Sequence, residues 1–192
     1  MKKFIIMLCL ILSPALVHSG IYRGIEPLDS ITDIKRKFQA AKIVESRPAW
    51  IDANETLCEI SGTGIDGKII ICFYDYRSEY RMLSKTEPDN KKYSELANLK
   101  HDEGVEIIWV KWVPSQSISA SGLISRYGNP DRYEFVANKQ QCLWIKKNIS
   151  ANLDTDSNFC NSMNFRFTRT EQTNAWIYKH GFTPEHLSPI SF

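Results

Sequence analysis

The chain has 192 residues, 43% of them hydrophobic and 24% charged, with a mean hydropathy of −0.31. A composition this apolar can bury a core and excludes a wholly disordered chain. The near balance of 24 Lys+Arg against 22 Asp+Glu argues against non-specific nucleic-acid binding, which rests on an excess of cations.

Met1-Lys2-Lys3, an apolar run from Phe4 to Val17 and the small residues of Val17-His18-Ser19 have the layout of a secretory signal, with cleavage expected after Ser19. Its loss removes Lys2 and Lys3, which brings the formal net charge from +2 to 0, and Cys9, which leaves four cysteines. Cys9 lies in the middle of the apolar run rather than behind a small residue at its end, so no lipid anchor is expected. With no second long apolar run, the product is expected to be soluble, periplasmic or secreted, and not inserted in a membrane. The short basic start points to a bacterial envelope.

Segment 20–114 reads as a first helix-plus-sheet unit. Ser30-Ile31-Thr32-Asp33 is a helix N-cap with an acid three residues on, and Ile31, Ile34, Phe38 and Ala41 fall on one helical face. Strands follow at about Leu57–Thr63 and Lys68–Tyr76, joined by the turn Gly62-Thr63-Gly64-Ile65-Asp66-Gly67. From Asp75 to Glu103, 13 of 29 residues are charged, so the insertion 77–103 reads as solvated, with a short helix able to start at Pro88-Asp89-Asn90. Val105–Val113 is the strongest strand signal, ended by Pro114, and belongs in the middle of a sheet.

Segment 115–192 reads as a second unit. Ser119 to Tyr127 forms a short helix, with Gly128 at its C-cap and Pro130 beyond it. Strands are expected near Tyr133–Ala137, Gln141–Lys147, Asn164–Thr168 and Ala175–Lys179, with Thr170-Glu171-Gln172-Thr173 marking the last hairpin and an irregular tail after Gly181. Ser30, Ile34, Phe38 and Cys58 run parallel to Ser119, Leu123, Tyr127 and Cys142 in the two segments. The expected fold is therefore α+β, two tandem units whose helices cover one face of an antiparallel sheet.

Four cysteines in an exported chain suggest two disulfides. A three-residue loop at 64–66 would set Cys58 opposite Cys72, and Cys142 and Cys160 flank the polar stretch Asn148 to Asn158, so local pairing is expected for both. No Cys-x-x-Cys pair is present to support redox catalysis.

Ser119 to Lys147, with Leu123, Tyr127-Gly128-Asn129-Pro130, Tyr133 and Trp144-Ile145-Lys146, forms a short helix ending in Gly-x-Pro before Trp-bearing strands. This resembles the helix–hairpin unit of the envelope-assembly lipoprotein family BamE (SmpA/OmlA) and the tandem unit of the β-lactamase inhibitor proteins. The resemblance covers about 30 residues and implies a helix-on-sheet fold that binds proteins. The lipobox of the first family is absent here.

Catalytic signatures are sparse. His101-Asp102-Glu103 lies in the charged insertion, and His180 and His186 have no zinc-motif spacing. Asp154-Thr155-Asp156-Ser157-Asn158 opens like a calcium loop but has Phe159 at the sixth position and Phe165 at the twelfth. No cofactor or metal is expected. Aromatic residues on strands are the stronger signal. On strict alternation Trp109 shares a face with Val105, Ile107, Lys111 and Val113, which reads as core, whereas Trp112 shares the more mixed face of Glu106, Ile108 and Val110. Trp112 is then the candidate binding residue, extended by Tyr74, Tyr76, Arg77, Tyr80 and Arg81, a mix of aromatics and Arg that interfaces favour. The expected function is non-enzymatic binding of another envelope or secreted protein, as inhibitor, immunity factor or assembly accessory. The alternatives are an envelope hydrolase or a small-ligand or peptidoglycan-binding module. A closed cavity with convergent His and Asp would favour the enzyme, and an open aromatic sheet face the binder.

Overall fold

The computed structural model describes residues 24–136, 139–154 and 156–187; the expected signal, its cleavage site and the last five residues lie outside them. The elements in chain order are α1 (Ile31–Lys37), β1 (Ala41–Ser46), β2 (Glu55–Gly62), β3 (Lys68–Asp75), α2 (Arg77–Thr86), α3 (Lys91–Ala97), β4 (Val105–Val113), β5 (Ile118–Ser119), α4 (Ala120–Tyr127), β6 (Arg132–Val136), β7 (Lys139–Trp144), β8 (Ile149–Leu153), β9 (Phe159–Phe165) and α5 (Arg169–His180). The fold is mixed α+β. Every strand pairs antiparallel in one sheet of order β1-β2-β3-β4-β9-β8-β7-β6, with the short β5 alongside β9.

The sheet consists of two four-strand meanders, β1–β4 and β6–β9, that meet along their last strands. At that seam Lys111 faces Asn164, Val110 faces Phe165 and Trp112 faces Met163. Each last strand carries a bulge three residues before the seam residue, at Ile108 in β4 and Asn161 in β9. A bulge sets two residues against one, so the side chains beyond it swap faces.

Short helices open both meanders. Ser30 caps α1 in a reciprocal box with Asp33, and Ser119 caps α4 through the Gly122 amide. Ile34 and Leu123 are buried from these helices against one face of the sheet. That face also holds Cys58, Ile60, Ile69, Ile71, Phe73, Val105, Ile107, Val110, Trp112, Cys142, Trp144, Ala151, Met163 and Phe165. The two buried indoles are satisfied locally. Trp112 Nε1 donates to the Asp66 carbonyl at 2.7 Å, and Trp144 Nε1 to the Gly128 carbonyl at 2.8 Å. Ser115 donates its hydroxyl to the Asp66 carboxylate, which fastens the β2–β3 turn to the end of β4. Gly67 is required in that turn. It has φ +72°, and a Cβ there would collide with the Val113 carbonyl.

Four expectations are corrected. The strand expected at Ala175–Lys179 is the helix α5, and Thr168 and Glu171, near the supposed hairpin punctuation, are its capping box. The stretch Asn148–Asn158 conceals β8, whose Ile149, Ala151 and Leu153 are buried while Ser150 and Asn152 face the other way.

The insertion 77–103 is not simply solvated. It folds into α2 and α3, which bury Tyr80, Leu96 and Ala97 with Tyr76, Leu28, Trp176 and Leu187 in a second apolar cluster.

The disulfide pairing also fails on geometry. Cys58 stands opposite Ile71, and Cys72 opposite Leu57, so Cys58 and Cys72 point to opposite faces. Cys142 on β7 and Cys160 on β9 share the core face but are separated by β8. Two strand spacings, about 9.6 Å, exceed the reach of a disulfide. All four are buried free thiols. Burial pushes Cys58 and Cys160 up to about 11 and Cys72 up to about 12, which keeps them protonated and unreactive.

Candidate functional site: the uncovered sheet face

The face opposite α1 and α4 is divided. At the N-terminal end of β4 it is covered by the second cluster, because Trp176 Nε1 donates to Glu106 Oε2 at 3.1 Å and Glu106 pairs with Tyr74 on that side of the sheet. Trp176 packs on Tyr76 at 4.8 Å and His180 at 4.7 Å between ring centroids, with Tyr80 at 6.1 Å. His186 Nε2 lies 3.4 Å from Glu106 Oε1, and that hydrogen bond raises its pKa. Burial, followed by Lys179, pushes His180 down to about 4. These contacts tie α5 and the tail to the sheet.

Beyond this cluster no described helix covers the face over the seam and the second meander. An open groove of about 630 Å³ runs there, with Trp109 and Lys111 of β4 and Asn164 of β9 on its floor. Leu143 and Ile145 form its rim on one side, and Arg166 and Trp50 also line it. Trp50, on the loop between β1 and β2, is 72% exposed, a large ring with no core role. The floor is amide-rich. Gln141 Nε2 donates to Asn152 Oδ1 at 2.7 Å, Asn152 Nδ2 donates to Ser162 Oγ at 3.0 Å, and Asn164 Nδ2 to Ser150 Oγ at 3.5 Å. This ladder crosses three strands and holds the polar side chains upright without filling the groove.

The sequence-predicted residues do not form one surface. Trp112 is 5% exposed within the main core, so its assignment to the binding face is reversed: Trp109 is the groove residue. The cause is the bulge at Ile108. Val105 and Ile107 before it and Val110 and Trp112 after it all face the core, which no strict alternation reproduces. Tyr76 and Tyr80 are buried in the second cluster, and Tyr74 packs at its margin. Arg77 clamps Asp75 at 2.6 Å and also donates to the Leu99 carbonyl and to His101 Nδ1. Arg81 is exposed on α2. Missed from the sequence were Trp50, Lys111, Asn164 and Arg166. The alternation Ile149-Ser150-Ala151-Asn152-Leu153 was the signal that could have revealed an amide-bearing strand face.

Among the described residues the groove lining contains no histidine, cysteine or carboxylate, and Ser150, the one hydroxyl among them, accepts from Asn164. Among the described residues no group of three or more His, Cys, Asp or Glu is placed to hold a metal ion, and no helix is long and apolar enough to cross a membrane.

No protein family and no curated protein matches the sequence. Among solved structures the chain is similar to a cysteine-rich secretory protein from Staphylococcus aureus subsp. aureus Mu50, with 12% identity and a TM-score of 0.34 over 85% of this chain. The chain spans 50% of the length of that protein.

Proposed function

We propose that this chain is an exported, non-enzymatic binding module of the bacterial envelope, built from two copies of one helix-plus-meander unit, and that it holds another envelope or secreted protein in the groove over the seam. The observation that carries the reading is the uncovered sheet face with Trp50 and Trp109 on it. Large rings flanked by an Arg are the composition of interface centres, and a monomer gains nothing by leaving Trp50 in water. The lining supports binding over hydrolysis because it brings together no nucleophile and base. The matched N-caps Ser30 and Ser119, and the bulges at equal distance from the Lys111–Asn164 seam, support duplication of the unit. The signal-like residues 1–19 support export.

The test is a photo-crosslinking amino acid at position 50 in the protein expressed in its host, with position 36 on the exposed side of α1 as control. The expected outcome is a covalent protein adduct from position 50 and none from position 36. No adduct from position 50, or equal adducts from both, would overturn the reading. Mass spectrometry of the same exported material is expected to find Gly20 at the N-terminus.

A further inference from the structure

The lining of the groove is one-sided in charge. Among the described residues it includes Lys111 and Arg166 and no Asp or Glu. Composition does not explain this, because the whole chain carries 24 cations and 22 anions. Of the other cations on the same sheet face, Lys68 and Arg132 each have a neighbouring acid, whereas Lys42 and Lys139 form no ion pair with a described residue. Lys68 pairs with Glu59 across β2 and β3 at 3.1 Å, and Arg132 pairs with Glu134 on β6. Lys111 and Arg166 form no ion pair with any described residue. Their charges are therefore held beside two indoles and a row of fixed amides without internal compensation.

Resting on the protein-binding reading above, we infer that the occupant of the groove is an acidic segment of the partner protein. Its carboxylates meet Lys111 and Arg166, its apolar side chains lie on Trp50 and Trp109, and its backbone meets the amides of Gln141 and Asn164. Each part of the lining then has a counterpart. The planar guanidinium of Arg166 suits bidentate carboxylate contact, and the half-buried Lys111 supplies a point charge on the floor. Opposed charge at an interface mainly sets specificity and the rate of encounter, so binding through this groove weakens as salt rises.

The experiment pans a displayed random-peptide library against the protein and against the double variant K111Q/R166Q, at low and at high salt. Thermal unfolding first confirms that the variant is folded. The expected result is enrichment of sequences rich in Asp and Glu on the protein at low salt, with tenfold or greater loss of affinity of a synthesised winning peptide on the double variant. K111R is expected to keep most of that affinity. Enrichment of neutral or basic sequences would overturn the inference, as would acidic sequences that bind the double variant equally. Binding of a soluble muropeptide or of phosphatidylglycerol vesicles without acidic-peptide enrichment would also overturn it. The position-50 adduct separates the two readings. An adduct that persists undiminished in K111Q/R166Q sinks the acidic segment and leaves protein binding standing, whereas absence of any adduct sinks protein binding itself.

Discussion

Trp109 and Trp112 are three residues apart on the same strand and have opposite surroundings. Trp112 is enclosed by the main core with its indole N–H on the Asp66 carbonyl, while Trp109 lies on the floor of an open groove beside Lys111. The same contrast runs across the whole sheet. One face is sealed by α1 and α4 over aliphatic and aromatic side chains; the other carries amides, the unpaired Lys111 and Arg166 and an exposed Trp50. A residue type alone decides neither role. An indole is core where helices close over it and a binding surface where the sheet is left bare.

The sharpest way to break this comparison is Trp112→Ala. Removing a buried indole from the core is expected to cost about 3–5 kcal/mol, read as a large fall in melting temperature. Trp109→Ala is expected to shift it far less, and equal shifts would mean that both faces are core.

The second cluster predicts how stability follows pH. His180 is held at about 4, below its ordinary 6.5, so the unfolded chain takes up a proton that the folded chain refuses as pH falls from 6.5 to 4. Stability therefore declines on that acid limb. His186 is raised by Glu106, so its contribution is full below pH 6.5 and is lost as pH rises through the raised value. Denaturant unfolding across pH is expected to peak near pH 6.5. His180→Asn should flatten the acid limb and His186→Asn the alkaline one; unchanged limbs would show that the tail does not dock on this end of the face.

Thr168→Ala removes the cap of α5 and is expected to cost about 1 kcal/mol by the same unfolding measurement. The smallest effect belongs to the open face: Trp50→Ala is expected to change stability by no more than about 0.5 kcal/mol. A larger loss would mean that Trp50 supports the fold and is not free for a ligand. The thiols extend the comparison, since non-reducing peptide mapping is expected to find no Cys58–Cys72 link across opposite faces.

Much of the first meander was legible in the residues. The Ser30–Asp33 box, the Gly-rich turn before Lys68 and the apolar run Val105–Val113 are local signals, and the corresponding helix, hairpin and central strand are present. The Ser119 cap and Gly128 stop were equally readable for α4. The candidate site was less so. Tyr76 and Tyr80 read as a surface because they open a charged insertion, yet α2, α3 and α5 close over them. The strand reading of Ala175–Lys179 overlooked the box Thr168–Glu171, which starts seven residues before it, although that signal is as local as the one at Ser30.

By itself, then, the sequence determined the elements whose signals lie within a few residues: caps, turns, alternating strands and the balance of charge. It also carried the identity of every side chain now in the groove. Which face each strand presents was decided by the tertiary structure. The bulges at Ile108 and Asn161 arise from how β4 and β9 pair with neighbours distant in the chain, and each reverses the phase of the residues beyond it. The bare face itself has the same origin. Helices α1 and α4 cover one side and α5 only one end of the other, so Trp109, Lys111, Asn164 and Arg166 become neighbours through long-range packing that no local pattern encodes.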